Sequence, residues 1–287
     1  MKRVVAGLLA AIFAASVGGV AIAQTNSAAD AELATNIGSR VKDVTGVGIV
    51  AGTIVFGSSN TIVAGSTGGS ASLDADTVFE IGSITKTFTA TVLADMVRRG
   101  EVALDDPIEK YLPAGSTGPT FNGAHVTLLD LATQSSGLPR MPTNFAPANR
   151  DNPYVDYAQP QLYGFLGSYQ LTRAPGSKYE YSNVGFGLLG QLLANRVKTT
   201  YEALVQARLL AILAMTSTGI TLSPAMREHL APGRDVDGNP AGNWDLGALA
   251  GAGAIRSSMR DMLKYLAANM NGSGPIGEDA KMAQTPR

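Results

Sequence analysis

Ser83 and Lys86 form a Ser-x-x-Lys pattern at the start of a segment with helical periodicity. Residues three apart on a helix lie on the same face, so this spacing places the hydroxyl beside the amine. A serine is a weak nucleophile at neutral pH until a neighbouring base accepts its proton. A lysine whose pKa is lowered by burial or by neighbouring positive charge can be that base. The pattern therefore predicts a nucleophilic serine, while an ordinary amphipathic helix is the alternative interpretation.

Tyr181 and Asn183 flank Ser182 on a predicted loop just before a second helix. A tyrosine beside a serine–lysine pair can transfer a proton if neighbouring cations favour its phenolate. An asparagine amide can donate to a substrate carbonyl and also contact the lysine. Taken alone, Tyr-x-Asn indicates only a capped helix start. The pattern becomes informative about function because it occurs downstream of Ser83 and Lys86.

Together with longer stretches, these patterns resemble the penicillin-recognising serine hydrolases, in the branch of class C β-lactamases and related D-Ala-D-Ala peptidases and esterases. The resemblance covers about residues 45–270, and Tyr-x-Asn rather than Ser-Asp-Asn indicates class C rather than class A. The matching stretches, in the order of the family, are residues 79–86, 104–107, 131–139, 174–176 with 181–183, and 252–258 with 261–262.

The resemblance implies a role for each matching residue. Ser83 would attack an amide, lactam or ester carbonyl, and water would later release the acyl-enzyme. Lys86 and Tyr181 would share the base and acid duties, while Asn183 would orient the substrate. The backbone N–H of Ser83 would supply half of an oxyanion hole, a donor whose removal costs about 3–4 kcal/mol.

The order of strand-like and helix-like segments around these residues predicts an α+β fold with an inserted all-helical lobe. The resemblance implies that the sheet is antiparallel and flanked by helices. We expect a sheet lobe at about residues 31–105 and 245–287 and a helical lobe at about 106–244. Strands are predicted at 47–56 and 61–64, joined by a turn at 57–60, and at 77–81. Helices are predicted at 31–42, 83–100, 127–133, 161–171, 184–196, 201–213 and 257–270, with a surface loop at 139–160.

One feature of the family is absent from these 287 residues. Its third motif, a lysine or histidine followed by Ser/Thr-Gly, normally lies on a strand after the helix that corresponds to residues 257–270. We therefore expect that C-terminal strands of the sheet are missing, and that the chain expressed alone is weakly active or inactive. An exposed sheet edge would also favour aggregation.

Residues 1–23 have the pattern of a secretory signal peptide. Lys2 and Arg3 precede an apolar run, and Ala21-Ile22-Ala23 forms a cleavage site, so we expect cleavage near Ala23 and a hydrolase domain over residues 24–287. A membrane anchor is the less favoured alternative because the apolar run is short. We predict a periplasmic or secreted protein. With no cysteine in the chain, its stability must come from a packed core.

Several function classes are disfavoured. A net charge of −1 provides no basic surface for nucleic acid. No spacing of His, Asp or Glu suits a metal, so neither a metal nor a cofactor is expected. Residues 185–190 match G-x-G-x-x-G without the strand that a dinucleotide site requires, which favours close helix packing instead. His125 and His229 lack the G-x-S-x-G elbow of a Ser–His–Asp enzyme and are expected at the surface.

Three functions fit the sequence. The leading hypothesis is an exported serine hydrolase acting on β-lactams or D-Ala-D-Ala peptides, with a small molecule or a peptidoglycan peptide as substrate. An esterase on the same scaffold is the nearest alternative. A non-catalytic peptidoglycan-binding module is the alternative from a different class. The sequence does not fix the oligomeric state, and a monomer is the expectation.

Overall fold

The computed structural model describes residues 28–44, 46–69, 72–235 and 237–287, so the predicted signal peptide lies outside the described part. The chain divides into two compact units, Met1–Ala75 and Asp76–Arg287. All four predicted site residues belong to the second unit. The division into sheet and helical lobes stays a prediction.

The first unit contains a helix, α1 (residues 28–41), and a hairpin of β1 (Gly48–Val55) and β2 (Ser58–Gly65). The predicted turn at residues 57–60 is wrong in its extent, because Ser58 already pairs with Val55. The connection is the dipeptide Phe56-Gly57, with φ angles of 47° and 81°. Positive φ at both positions is typical of the tight turn that matches the twist of paired strands.

The second unit is mostly helical. Its helices are α2 (Thr85–Arg98), α3 (Leu128–Ala132), α4 (Gln159–Ser168), α5 (Asn183–Arg196), α6 (Tyr201–Val205), α7 (Pro224–Glu228), α8 (Ala250–Gly253), α9 (Met259–Asn271) and α10 (Gly277–Gln284). Its strands form antiparallel pairs: β3 (Val78–Glu80) with β8 (Arg256–Ser258), β4 (Thr120–Phe121) with β5 (Ala124–His125), and β6 (Gly233–Arg234) with β7 (Pro240–Ala241).

Two predicted helices differ from the structure for identifiable reasons. The helix predicted at residues 257–270 begins at Met259, because Ser257 and Ser258 pair with β3 instead. The helix predicted at 201–213 is α-helical only to Val205 and continues as a π-helical segment, Gln206–Leu210. Periodicity cannot detect either effect, because strand pairing and a widened turn leave the apolar spacing almost unchanged.

The core of the second unit is built around α5 and α2. In α5 every residue from Val184 to Ala194 is buried, as expected of a helix that is apolar on all sides. In α2 the residues Phe88, Val92 and Met96 are fully buried on one face. The start of α2, where the Ser-x-x-Lys pattern lies, is therefore anchored by the buried apolar side chains of the same helix.

Among the described residues, the helices are all too short or too polar to cross a bilayer.

Candidate active site

Ser83 lies in a sharp connection between a strand and a helix. After β3 the chain turns at Gly82, with φ of 51°, into a 3₁₀ turn, Gly82–Ile84, which continues into α2. The Ile81 N–H donates to the Ile255 carbonyl at 3.1 Å, which extends the β3–β8 pairing to the edge of this turn. The turn leaves the Ser83 side chain exposed to solvent at the start of α2.

Lys86 follows one turn later and is only 6 % exposed. Its ammonium donates to three acceptors: Ser83 Oγ at 3.2 Å, Asn183 Oδ1 at 2.9 Å and the Ala252 carbonyl at 2.7 Å. Burial lowers the pKa of Lys86, and only interactions with Tyr181 oppose this effect. The structure therefore combines a buried amine with three acceptors, one of which is the neighbouring serine.

The Tyr181–Asn183 segment is held by hydrogen bonds to one loop. The Ser182 N–H donates to Gln134 Oε1 at 2.7 Å, and the Ser182 hydroxyl donates to the Pro139 carbonyl at 2.6 Å. The same hydroxyl caps α5 by accepting from the Gly185 N–H at 2.8 Å. This fixes the backbone on both sides of Tyr181 and Asn183.

Tyr181 contacts both members of the Ser-x-x-Lys pattern. Its hydroxyl donates to Ser83 Oγ at 2.6 Å, and Lys86 Nζ lies 4.7 Å from the centroid of its ring. Burial by itself raises the pKa of Tyr181. The neighbouring Lys86 and Ser83 side chains and the charge of Arg140 outweigh burial, and the pKa is lowered overall. The four residues predicted from the sequence thus lie together.

A cavity of about 230 Å³ opens in front of Ser83 and includes residues that sequence reasoning missed. Arg140, Tyr154 and Trp244 line it together with Asn183. The Tyr154 and Trp244 rings lie 5.3 Å apart, and Trp244 is 45 % exposed. Arg140 directly follows the family-like stretch at residues 131–139, and this position is the signal by which the sequence could have indicated it. Trp244 carried no signal because nothing in the sequence indicated its neighbours.

The remaining sequence patterns lie outside this cavity. His125 is exposed and pairs with Glu109 at 3.2 Å, and His229 is exposed, as predicted. The G-x-G-x-x-G stretch packs closely: a Cβ on Gly187 would lie 2.8 Å from Leu249 Cα. This confirms the packing interpretation. Within the described ranges, we found no group of three or more His, Cys, Asp or Glu side chains suited to a metal ion.

A mixed fold that brings a Ser-x-x-Lys helix start against a Tyr-x-Asn loop is typical of the penicillin-recognising class of proteins. The chain belongs to the beta-lactamase family, whose model matches residues 42–287.

Individual relatives agree with this assignment. The chain is 36 % identical over 191 residues to the D-alanyl-D-alanine-carboxypeptidase/endopeptidase AmpH of Escherichia coli, covering 67 % of this chain and 48 % of that protein. It is 34 % identical over 197 residues to a beta-lactamase of Pseudomonas fluorescens, covering 68 % of this chain and 51 % of the relative. The chain therefore spans about half the length of the curated relatives it matches.

Solved structures confirm the fold class. The crystal structure of a beta-lactamase/D-alanine carboxypeptidase from Yersinia pestis, complexed with citrate, superimposes with a TM-score of 0.77 at 27 % identity. That match covers 90 % of this chain and 74 % of the other. A class C beta lactamase from Rhodobacter sphaeroides gives a TM-score of 0.71, also at 27 % identity, over 88 % of this chain and 68 % of the other. The α+β class predicted from the sequence is thus confirmed.

Proposed function

We propose that this protein is an exported serine hydrolase of the class C β-lactamase and D-Ala-D-Ala carboxypeptidase type. It acts on β-lactams or D-Ala-D-Ala peptides through an acyl-enzyme on Ser83. The observation that supports this function is the position of Ser83 Oγ, 2.6 Å from Tyr181 Oη and 3.2 Å from Lys86 Nζ. The names of the relatives, which include both carboxypeptidases and beta-lactamases, support the same two substrate classes.

The hydrogen-bond partners of Lys86 determine which group it can deprotonate. A neutral amine keeps two N–H donors and gains one lone pair. The Asn183 Oδ1 and Ala252 carbonyl oxygens can only accept, so both remaining N–H groups stay with them. The lone pair then faces Ser83 Oγ, the one partner that carries a proton. Because burial lowers the pKa of Lys86, this neutral form is accessible nearer to neutral pH than for an exposed lysine.

Tyr181 completes the proton path. As Ser83 Oγ attacks the carbonyl carbon, its proton passes to the Lys86–Tyr181 pair, and the carbonyl oxygen becomes negative. The Ser83 N–H stabilises that oxygen as half of an oxyanion hole. The pair then delivers the proton to the leaving nitrogen, and the C–N bond breaks. A water molecule then attacks the acyl carbon and gives its proton to the Lys86–Tyr181 pair. The bond between that carbon and Ser83 Oγ breaks, the pair returns the proton to Oγ, and the acid is released.

Asn183 is suited to orient the substrate. Its Oδ1 is occupied by Lys86, whereas among the described residues its Nδ2 contacts only the weak acceptor Met141 Sδ, at 3.7 Å. The amide N–H₂ can therefore donate to a substrate carbonyl beside Ser83. The contact between Oδ1 and Lys86 fixes the orientation of the Asn183 amide, because a reversed amide would place its N–H₂ group against the Lys86 ammonium.

The decisive experiment is mass spectrometry after incubation with a slowly hydrolysed penicillin. Because the chain spans about half of its relatives, we propose the activity for the whole protein, and the experiment uses the product of the complete reading frame. One penicilloyl adduct is expected on Ser83 and none in Ser83→Ala. Ser177→Ala, at an exposed serine in the loop before Tyr181, is the matched control and should retain the adduct. A folded protein without an adduct, or an adduct that survives Ser83→Ala, contradicts the proposal.

The two substrate classes and the esterase alternative separate in a substrate panel. Release of D-alanine from an N-acyl-D-Ala-D-Ala peptide identifies a carboxypeptidase. Fast turnover of a penicillin identifies a β-lactamase, because rapid deacylation is what distinguishes it. Hydrolysis of simple esters alone identifies an esterase. Peptidoglycan binding without any turnover, surviving Ser83→Ala, identifies a binding module.

Export is the remaining part of the proposal, and it rests on the signal peptide pattern at residues 1–23. Expression of the complete gene in a Gram-negative host should place the protein in the periplasmic fraction. Its intact mass should correspond to cleavage near Ala23. A cytoplasmic protein with an uncleaved N-terminus would contradict this part.

A further inference from the structure

Arg140 lies at the mouth of the cavity that contains Ser83. Its backbone is fixed, because its carbonyl accepts from the Asn183 N–H at 2.9 Å. Its exposed side chain lines the cavity, and the guanidinium carbon lies 5.1 Å from the centroid of the Tyr181 ring. A cation over an aromatic face is held in place without its hydrogen-bond donors being used.

Apart from the Tyr181 ring, this guanidinium forms neither an ion pair nor a side-chain hydrogen bond with any described residue. The acidic residue that lines the same cavity is already engaged. Glu80 accepts from Arg256 at 3.3 Å and from the Trp244 N–H at 2.8 Å. Arg140 therefore presents its donors to the cavity rather than to the protein.

Two cationic side chains therefore lie beside the nucleophile. Lys86 Nζ and the Arg140 guanidinium lie 4.7 Å and 5.1 Å from the same ring centroid. Burial lowers the pKa of Lys86 and raises that of Tyr181, and the charge of Arg140 contributes to lowering both pKa values. Two cations around one ring repel each other, and an anion placed between Arg140 and Ser83 would offset that repulsion.

We propose that Arg140 binds a carboxylate of the substrate and thereby determines which acyl compounds react at Ser83. The guanidinium presents a planar fork of N–H donors that matches a carboxylate with two parallel hydrogen bonds. The rings of Tyr154 and Trp244, which line the cavity, would cover the apolar part of the same substrate. This inference rests on the proposed function, and it assigns Arg140 to specificity rather than to proton transfer.

The carboxylate has two possible sources: the leaving group or the acyl part of the substrate. Two pairs of thioesters separate them. In the first pair, N-acetyl-D-alanyl thioglycolate is compared with the thioglycolamide, which changes only the leaving group. In the second pair, succinyl-D-alanyl thioglycolamide is compared with its succinamoyl analogue, which changes only the acyl part. Thiol release gives kcat/KM for all four compounds.

Arg140→Gln is the test variant, and Arg150→Gln, an exposed arginine on the same loop, is the matched control. We expect Arg140→Gln to lower kcat/KM for the carboxylate member of one pair by about 10–100-fold, the usual value of a charged hydrogen bond. The carboxamide members should change by less than about threefold, since exposed charges interact weakly with their neighbours. Each variant is assayed at its own pH optimum, and Arg140→Lys should restore part of the loss.

Equal losses on all four thioesters would overturn the proposal and indicate an effect on the proton path instead. No loss on any of them would overturn it as well. The pair that responds identifies the source of the carboxylate.

Failure of the proposed function is recognised separately, by the absence of both turnover and a Ser83 adduct. Calorimetry on Ser83→Ala then tests the anion site without catalysis. In one of the two pairs, the carboxylate thioester should bind at least tenfold more tightly than its carboxamide, and the double variant with Arg140→Gln should lose that preference. Equal affinity of Ser83→Ala for the two members of both pairs would contradict the anion site.

Discussion

The inner wall of the site, formed by Lys86, Ser182 and the Ala252 carbonyl, contrasts with the rim, formed by Arg140, Tyr154 and Trp244. Lys86 and Ser182 are 6 % and 1 % exposed, and their polar atoms are tied to elements far apart in the chain. The rim lies on loops, and its side chains contact one another or Tyr181 through aromatic faces. Proton transfer needs fixed distances, whereas substrate selection needs only a surface of suitable chemistry. We therefore expect substitutions in the wall to remove activity and substitutions in the rim to redirect it.

The largest expected effect belongs to the wall. Lys86→Met keeps the length of the side chain but removes the amine beside Ser83. We expect the rate of acylation to fall by about 10⁴-fold, the upper range for loss of a general base. Stopped-flow acylation by a chromogenic cephalosporin measures it. A fall below tenfold would remove Lys86 from the proton path.

Tyr181→Phe removes only the phenol oxygen, which contacts Ser83 Oγ. Acylation should fall by about 10²–10³-fold, because the phenol takes part in the proton path. Tyr179→Phe is the matched control, since Tyr179 is 66 % exposed and lies two residues earlier. Equal rates for the two variants would show that the 2.6 Å contact between Tyr181 and Ser83 is not used in catalysis.

The pH dependence of acylation tests whether the pKa values of Tyr181 and Lys86 are lowered. The pKa of Tyr181 and that of Lys86 are both lowered, so the deprotonated pair is available below the usual tyrosine pKa of about 10. The rate should therefore rise with pH, about tenfold per unit, and level off below pH 10. Single-turnover acylation between pH 5 and 10.5, as an approximate range, measures the midpoint. A midpoint at or above 10 would contradict the cause assigned to the shift.

Ser182→Ala tests how the wall is held together. Loss of the cap on α5 should reduce the free energy of unfolding by about 1–2 kcal/mol. Acylation should fall too, since the bond to Pro139 that fixes Tyr181 is lost. Ser223→Ala removes an equivalent cap from α7, outside the cavity, and should cost stability while leaving acylation unchanged. Denaturant unfolding and acylation rates on both variants separate the two effects.

The smallest effect is expected at the rim. Trp244→Ala should change KM by about two- to fivefold, in a direction that depends on the substrate, with kcat nearly unchanged. Steady-state kinetics on two penicillins that differ in side-chain size measures it. A large fall in kcat would erase the distinction between wall and rim.

Sequence reasoning succeeded where the information is local. Ser83 and Lys86 lie one helical turn apart, so their proximity follows from the period of a helix. Joining Tyr181 to that pair needed the resemblance to a family. The third acceptor of Lys86 was missed, because the Ala252 carbonyl is a backbone group that any residue type carries. The cation at Arg140 was missed because the partners that hold it lie in other parts of the chain.

The close packing of α8 against α5 has a consequence for the amine. A Cβ on Gly251 would lie 2.6 Å from the Phe186 carbonyl, so these helices touch backbone to backbone. Ala252, the next residue, supplies the carbonyl that Lys86 contacts at 2.7 Å. One extra carbon atom at Gly251 would force the two helices apart and displace the carbonyl of the neighbouring Ala252. The position of an acceptor for the Lys86 amine is thereby coupled to how closely two helices pack.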